Sequence, residues 1–210
     1  MNSGPFKNWQ VNVGPLFPGS ECARLNPNQN FTEPAYGLAY NPRCLLRDIS
    51  SFTGEGWLKD DDVVSLLKSI DYQKFWEALQ GGAPPNNFQN NFMGVHTAGH
   101  FIIGGDPGGD FAASPGDPFF FCKGSRYTEY AFANTYIVHH ASIDRLYWAW
   151  QNLKPAERTK ALYGPTAMSD LTSPPATLQD KLTLGAAFAG DLTIEEASST
   201  MAGLFCYTYI

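Results

Sequence analysis

His96-Thr97-Ala98-Gly99-His100 and, further on, His139-His140-Ala141-Ser142-Ile143-Asp144-Arg145-Leu146-Tyr147-Trp148-Ala149-Trp150-Gln151 contain every histidine of this 210-residue chain. A spacing of four places His96 and His100 one helical turn apart on the same face, so that two imidazoles can converge on one metal ion. After His139, the residues Ile143, Leu146, Tyr147 and Trp150 recur at helical spacing, and Pro155 ends the run at about Leu153. Adjacent helix positions point about 100° apart, so His139 and His140 are not expected to share a ligand position, and one of them supplies a third imidazole. Asp144, one turn after His140, is placed to accept a ring N–H from a ligand histidine and fix its tautomer; the alternative is a solvated Asp144–Arg145 ion pair. Three imidazoles suit zinc, copper, iron or nickel, which leaves the metal open.

Around this centre the chain is mainly helical. Asp60-Asp61-Asp62 suits a helix start, with Val63, Val64, Leu66 and Leu67 as its apolar face. A short helix is expected at 72–80, another from Asn86 to Ile103 closed by Gly104-Gly105, and then a Gly/Pro/Asp loop to Pro118. Pro155 opens a short helix to Leu162. The tail holds a helix near 178–188 and an apolar terminal segment, Ala202 to Ile210, whose tyrosines permit a strand. Residues 1–55 are rich in turn residues and read as an extended loop segment that packs through Phe6, Trp9, Phe17, Tyr36 and Tyr40, leaving 56–210 as the helical part.

Composition bounds the function. The chain is 43% hydrophobic and 14% aromatic with only 16% charged residues, which is the composition of a packed globule rather than a disordered segment. A formal charge of −6 with no local Lys/Arg cluster argues against nucleic acid as a partner. No apolar run approaches the roughly 20 residues of a membrane span, and no leader follows Met1. Cys22, Cys44, Cys122 and Cys206 are widely spaced without a C-x-x-C pair, so disulfides are possible and a cysteine zinc site is not expected. Asn30-Phe31-Thr32 is a glycosylation sequon, a weak pointer to secretion.

The order of motifs resembles a known family. The two histidine segments, with Gly104-Gly105 and Ser114-Pro115-Gly116-Asp117-Pro118-Phe119-Phe120-Phe121 between them, resemble the second copper-binding region of tyrosinases, catechol oxidases and molluscan haemocyanins. Gly4-Pro5-Phe6 with Trp9, and Tyr40-Asn41-Pro42-Arg43-Cys44-Leu45-Leu46-Arg47-Asp48, look like the segment between the two copper regions of short ascomycete tyrosinase-like oxidases. The ending Phe205-Cys206-Tyr207-Thr208-Tyr209 is similar to where such catalytic domains finish.

This resemblance implies a partial helical bundle of the type-3 copper fold, with long irregular loops and the ligands projecting inward. It implies copper, with His96, His100 and His140 as ligands of one ion of a pair, and His139 and Asp144 in supporting roles. Thr97 and Phe101, each following a ligand, would flank the substrate entrance. Many tyrosinases carry Asn where Thr97 stands, so oxidation of o-diphenols or o-aminophenols to quinones by dioxygen is expected ahead of monophenol hydroxylation. Alternatives are a haemocyanin-like oxygen carrier and a mononuclear protein with three histidine ligands.

A two-copper site of this kind takes six histidines, and the sequence has four. The chain is therefore expected to be the C-terminal half of a copper-binding domain, truncated at its N-terminus, inactive alone, and derived from a secreted protein. The face around His96, His100 and Phe101 is then expected to be open and apolar. Residues 122–138 stand where the family has a single residue before His-His, and they read as a translated, retained intron. Cys122-Lys123-Gly124 can encode a splice donor, Ala133-Asn134 a branch point and Ile137-Val138 an acceptor, and excision leaves a Leu codon.

Overall fold

The computed structural model describes residues 8, 10–11, 43–45, 47–82, 93–109, 139–167, 172–183, 190–201 and 205–210. The segment 122–138, residues 83–92 and the rest of the first 42 residues lie outside them, as do the expectations placed there. Among the described residues eight helices accompany two small two-stranded sheets, so the fold is mainly α as expected. The chain divides into two compact units: residues 1–56 with 98–142, and residues 57–97 with 143–210.

In the first unit, β1 (Gln10–Val11) pairs antiparallel with β2 (Arg43–Cys44), matching Val11 to Arg43. Val11 is fully buried. Helix α1 (Ser51–Trp57) begins inside the stretch expected to be extended loop. Its start is capped by Ser50, whose Oγ accepts from the Thr53 amide at 3.2 Å and from its hydroxyl at 2.9 Å.

The chain entering α1 also closes the end of α4 (Val95–Ile103). The amides of Asp48 and Ser50 donate to the carbonyls of Ile103 and Ile102, both at 2.9 Å, pairing carbonyls that a helix end leaves unsatisfied. Gly104 follows with φ +58°, and a Cβ there would lie 2.3 Å from the Asp48 carbonyl oxygen. Only glycine fits both the left-handed turn and this approach. The loop expected from Gly104 instead carries a short helix, α5 (Gly105–Gly109), with Asp106 and Pro107 buried.

In the second unit, α2 (Asp60–Leu67) starts on its three aspartates, and Asp62 reaches back to the Lys59 amide at 2.9 Å. Helix α3 (Tyr72–Gln80) is capped by Asp71, which accepts from the Lys74 amide at 2.8 Å, and it ends at Gly81 with φ +95°. Helix α6 (His139–Leu153) has the length read from its periodicity. Its apolar side enters a core of Leu66, Phe75, Leu79, Val95 and Trp150, flanked by Val63, Leu67, Tyr72, Ile143, Leu146 and Tyr147.

Trp150 is the centre of this core. Its ring lies 4.9 Å from that of Phe75, and its Nε1–H donates to the Ser69 carbonyl at 2.9 Å. The buried Arg158, from α7 (Pro155–Arg158), stacks 4.4 Å over the Trp150 ring and donates to the carbonyls of Trp150 and Ser69.

Three tail expectations are corrected. Helix α7 stops at Arg158, giving way to turns at 159–160 rather than running to Leu162. The expected helix near 178–188 gives way to β3 (Lys181–Thr183), paired with β4 (Asp191–Thr193) so that Leu182 faces Leu192 across the ladder. A capping box of Thr193 and Glu196 then starts α8 (Ile194–Ala197). Residues 205–210 form no strand; their anchors are side chains, described below. No helix among the described residues is long and apolar enough to cross a membrane.

The account of this core predicts that Trp150→Ala destabilises the chain by about 3–5 kcal/mol, the usual cost of emptying a large buried site. Leu153→Ala, at a position 62% exposed, should change stability by no more than about 0.5 kcal/mol. Urea denaturation of the two variants checks the contrast.

Candidate metal centre

Helix α4 starts later than expected, because Gly94 turns the chain with φ +73° and lies so close to α3 that a Cβ would sit 2.5 Å from the Leu79 carbonyl oxygen. The helix that remains is short, but it carries both of its histidines. His96 is half-buried, and its Nδ1 contacts the Gln80 side-chain oxygen at 2.9 Å. His100 is 4% exposed, with Nδ1 2.9 Å from the Pro107 carbonyl oxygen. A carbonyl only accepts, so each Nδ1 carries the proton and the lone pair sits on Nε2, the nitrogen presented to a metal.

Helix α6 begins at the second pair. The rings of His139 and His140 lie 5.3 Å each from that of His100 and 5.4 Å from one another. One ligand atom from each of His96, His100, His139 and His140 can be chosen so that all four lie within 4.8 Å of one another. The expected triad therefore comes together, and His139 joins it instead of pointing away.

Gly99 is the residue that sequence reasoning missed. An ideal Cβ on it would fall 2.1 Å from His139 Cε1 and 2.5 Å from Nδ1, so the His139 ring occupies the space that any side chain at position 99 would need. The signal was present in the motif: a glycine inside a helix costs about 0.5–1 kcal/mol relative to alanine and calls for a packing reason.

The supporting role expected of Asp144 is not what its contacts serve. Asp144 does not accept from an imidazole: its Oδ2 accepts from the Tyr207 hydroxyl at 2.6 Å and from the Tyr209 hydroxyl, while Arg145 donates to the Ile210 carbonyl at 3.2 Å. The C-terminal residues thus fasten onto α6. Partial burial and then the Asp144 carboxylate push the Tyr207 phenol up to about 12. Thr97 is 8% exposed and its hydroxyl donates to the Gln80 carbonyl at 3.0 Å. Phe101 is half-buried. Nor is the helix face open, since none of the nine residues of α4 is exposed.

Burial lowers the pKa of His100, a trend the Pro107 carbonyl partly offsets and the neighbouring His140 reinforces; burial lowers His140 as well. Both imidazoles therefore stay neutral, as metal ligands must, somewhat below the ordinary 6.5. A depressed histidine pKa also means that below this value the unfolded chain takes up protons that the folded chain does not. The metal-free chain should then lose stability as pH falls from about 7 toward 5, with NMR midpoints for His100 and His140 below 6.5. A His100 midpoint at or above the ordinary value would contradict the burial described for that ring.

Comparison with known proteins fits this cluster. The family described as the common central domain of tyrosinase matches residues 1–123, a span that includes His96 and His100 and stops short of His139. Tyrosinase P of Aspergillus terreus is 31% identical over 210 residues, covering 100% of this chain and 51% of that protein. The N-acetyl-6-hydroxytryptophan oxidase ivoB of Emericella nidulans is 30% identical over 215 residues, covering 98% of this chain and 51% of that protein. A variant polyphenol oxidase from Thermothelomyces thermophila superposes with a TM-score of 0.74 at 31% identity, covering all of this chain and 51% of that one. The chain spans about half the length of these relatives. With more than half of its residues matched by the family's central domain, this chain belongs to the tyrosinase family.

Proposed function

We propose that the chain is the second-copper half of a tyrosinase-type oxidase domain, with His96, His100 and His140 holding one copper ion. The observation that carries this is the convergence of the histidines in a chain of this family. The donor set fits the metal: neutral imidazoles, two of them with Nδ1 already engaged by acceptors, suit copper bound through Nε2. Bound copper would supply the electron-transfer and oxygen-binding chemistry that no side chain in the cluster possesses.

The residues around it define the protein's share of the work. Gln80 and the Pro107 carbonyl hold His96 and His100 in fixed orientations, so little reorganisation accompanies metal binding. In the complete protein the reaction is oxidation of o-diphenols or o-aminophenols to quinones with dioxygen. The relatives named as a polyphenol oxidase and as an oxidase of a hydroxylated tryptophan support a phenolic substrate. Thr97 supports the diphenol side of that reading, since a hydroxyl committed to the Gln80 carbonyl is poorly placed to orient a water that deprotonates a monophenol.

Alone, the chain is inactive, because four histidines cannot furnish the six ligands of a two-copper site. Residues 122–138 interrupt the family's spacing, and the family match ends at residue 123, the second residue of that segment; we read it as a translated intron.

Oxygen uptake with catechol tests the functional reading. Monomeric chain supplied with copper should show no turnover above free copper, and the same chain extended N-terminally by a segment bearing three further histidine ligands should show it. Copper-dependent quinone formation by the monomeric 210-residue chain would overturn the proposal.

A further inference from the structure

We propose that Gln80 is the positioning residue of His96 and sets how strongly that imidazole donates to copper, its neutral amide keeping the ligand a moderate donor where a carboxylate would make it a strong one. The inference rests on the metal-binding reading above and adds to it the residue that tunes one ligand. Gln80 is the last residue of α3 and is half-buried. Its side-chain oxygen accepts from His96 Nδ1 at 2.9 Å, which leaves the lone pair on Nε2. An α-helix leaves its last carbonyls without donors of its own, and that of Gln80 accepts the Thr97 hydroxyl at 3.0 Å. One residue thus anchors two consecutive positions of α4, one through its side chain and one through its main chain.

Gly94 supplies the independent observation. Two residues before His96, it turns the chain with φ +73°, and a Cβ there would lie 2.3 Å from the Gly81 amide nitrogen and 2.5 Å from the Leu79 carbonyl oxygen. Glycine at this position brings the start of α4 directly against the end of α3, which is the approach that the Gln80 side chain needs to reach the His96 ring. The partner of a ligand's outer N–H also sets the ligand's strength, because a stronger acceptor there makes the imidazole more basic at its metal-binding nitrogen. A carboxylate would stabilise Cu(II) over Cu(I), whereas the amide of Gln80 fixes the same tautomer and orientation without adding charge.

The experiment uses the full chain, first without metal. At about pH 8, where an imidazole is neutral, long-range proton–nitrogen NMR should show His96 protonated at Nδ1 in the native chain and in Gln80→Glu, and as a mixture of tautomers in Gln80→Leu. Cu(II) is then added in competition with a chelator of known affinity. Gln80→Leu should bind it about 10–100-fold more weakly than the native chain, and Gln80→Glu at least as tightly as the native chain, with a lower Cu(II)/Cu(I) reduction potential. In a His96→Ala background, Gln80→Leu should change affinity by less than about threefold, because the residue acts through that ring. The Thr97 bond goes to the main chain and survives these Gln80 substitutions, and near-ultraviolet circular dichroism confirms that each variant is folded. A folded Gln80→Leu that keeps the native tautomer, or an affinity within about threefold of native, refutes the role of Gln80 while the copper reading stands. An equal loss in the absence of His96 assigns Gln80 to packing, and an unchanged potential in Gln80→Glu overturns the tuning of donor strength. If the native chain binds no stoichiometric copper, the copper reading falls and the proposal with it.

Discussion

A buried imidazole is tolerated when its ring nitrogens find partners, and that constraint organises the chain around α4. His100, almost fully enclosed, needs an acceptor for Nδ1, and the Pro107 carbonyl supplies it. That carbonyl comes within reach because Gly104 turns the chain sharply after Ile103, and the turn is possible because glycine alone accepts both its φ and the nearby Asp48 carbonyl. His96 makes the same demand on α3, met by Gln80, whose backbone carbonyl also takes the Thr97 hydroxyl. The polar groups of α4 are thereby oriented before any metal arrives.

The second histidine pair depends on a different kind of support. Helix α6 holds its position through its far end, where Trp150 combines full burial, an indole hydrogen bond and a guanidinium over its face. On its outer side, two tyrosine hydroxyls and the Arg145–Ile210 contact fasten residues 205–210 to it. Apart from the Arg158 stacking, these contacts join residues far apart in sequence, and together they hold a helix of 15 residues whose first turn carries the chemistry.

What the sequence revealed followed local rules. The four-residue spacing of His96 and His100 and the boundaries of α6 are helix-periodic features, and so is the acidic start of α2; the structure keeps all three. The family's order of motifs pointed to His140 before any geometry was available. The misses are long-range. Nothing within a few residues of Asp144 announces that Tyr207 and Tyr209 will take its carboxylate from the histidines. The strand at Lys181–Thr183 exists because Asp191–Thr193 pairs with it, against a composition that also suits a helix. The late start of the expected helix, after Gly94, reflects a close approach to Leu79, and Gly99 reflects one to His139. The expectation of an open apolar face failed at α4, where no residue is exposed; exposed large apolar side chains lie instead at positions such as Phe52 and Ile70.

The central claim is that imidazoles from α4 and α6 close on a single ion. X-ray absorption spectroscopy of the chain loaded with one equivalent of Cu(II) tests it most directly. The account predicts a first shell of nitrogen at about 2.0 Å, the outer-shell scattering characteristic of several imidazole rings, and no copper–copper vector. An oxygen-dominated shell without imidazole scattering, or a spectrum unchanged when His96 and His100 are replaced together, would contradict it.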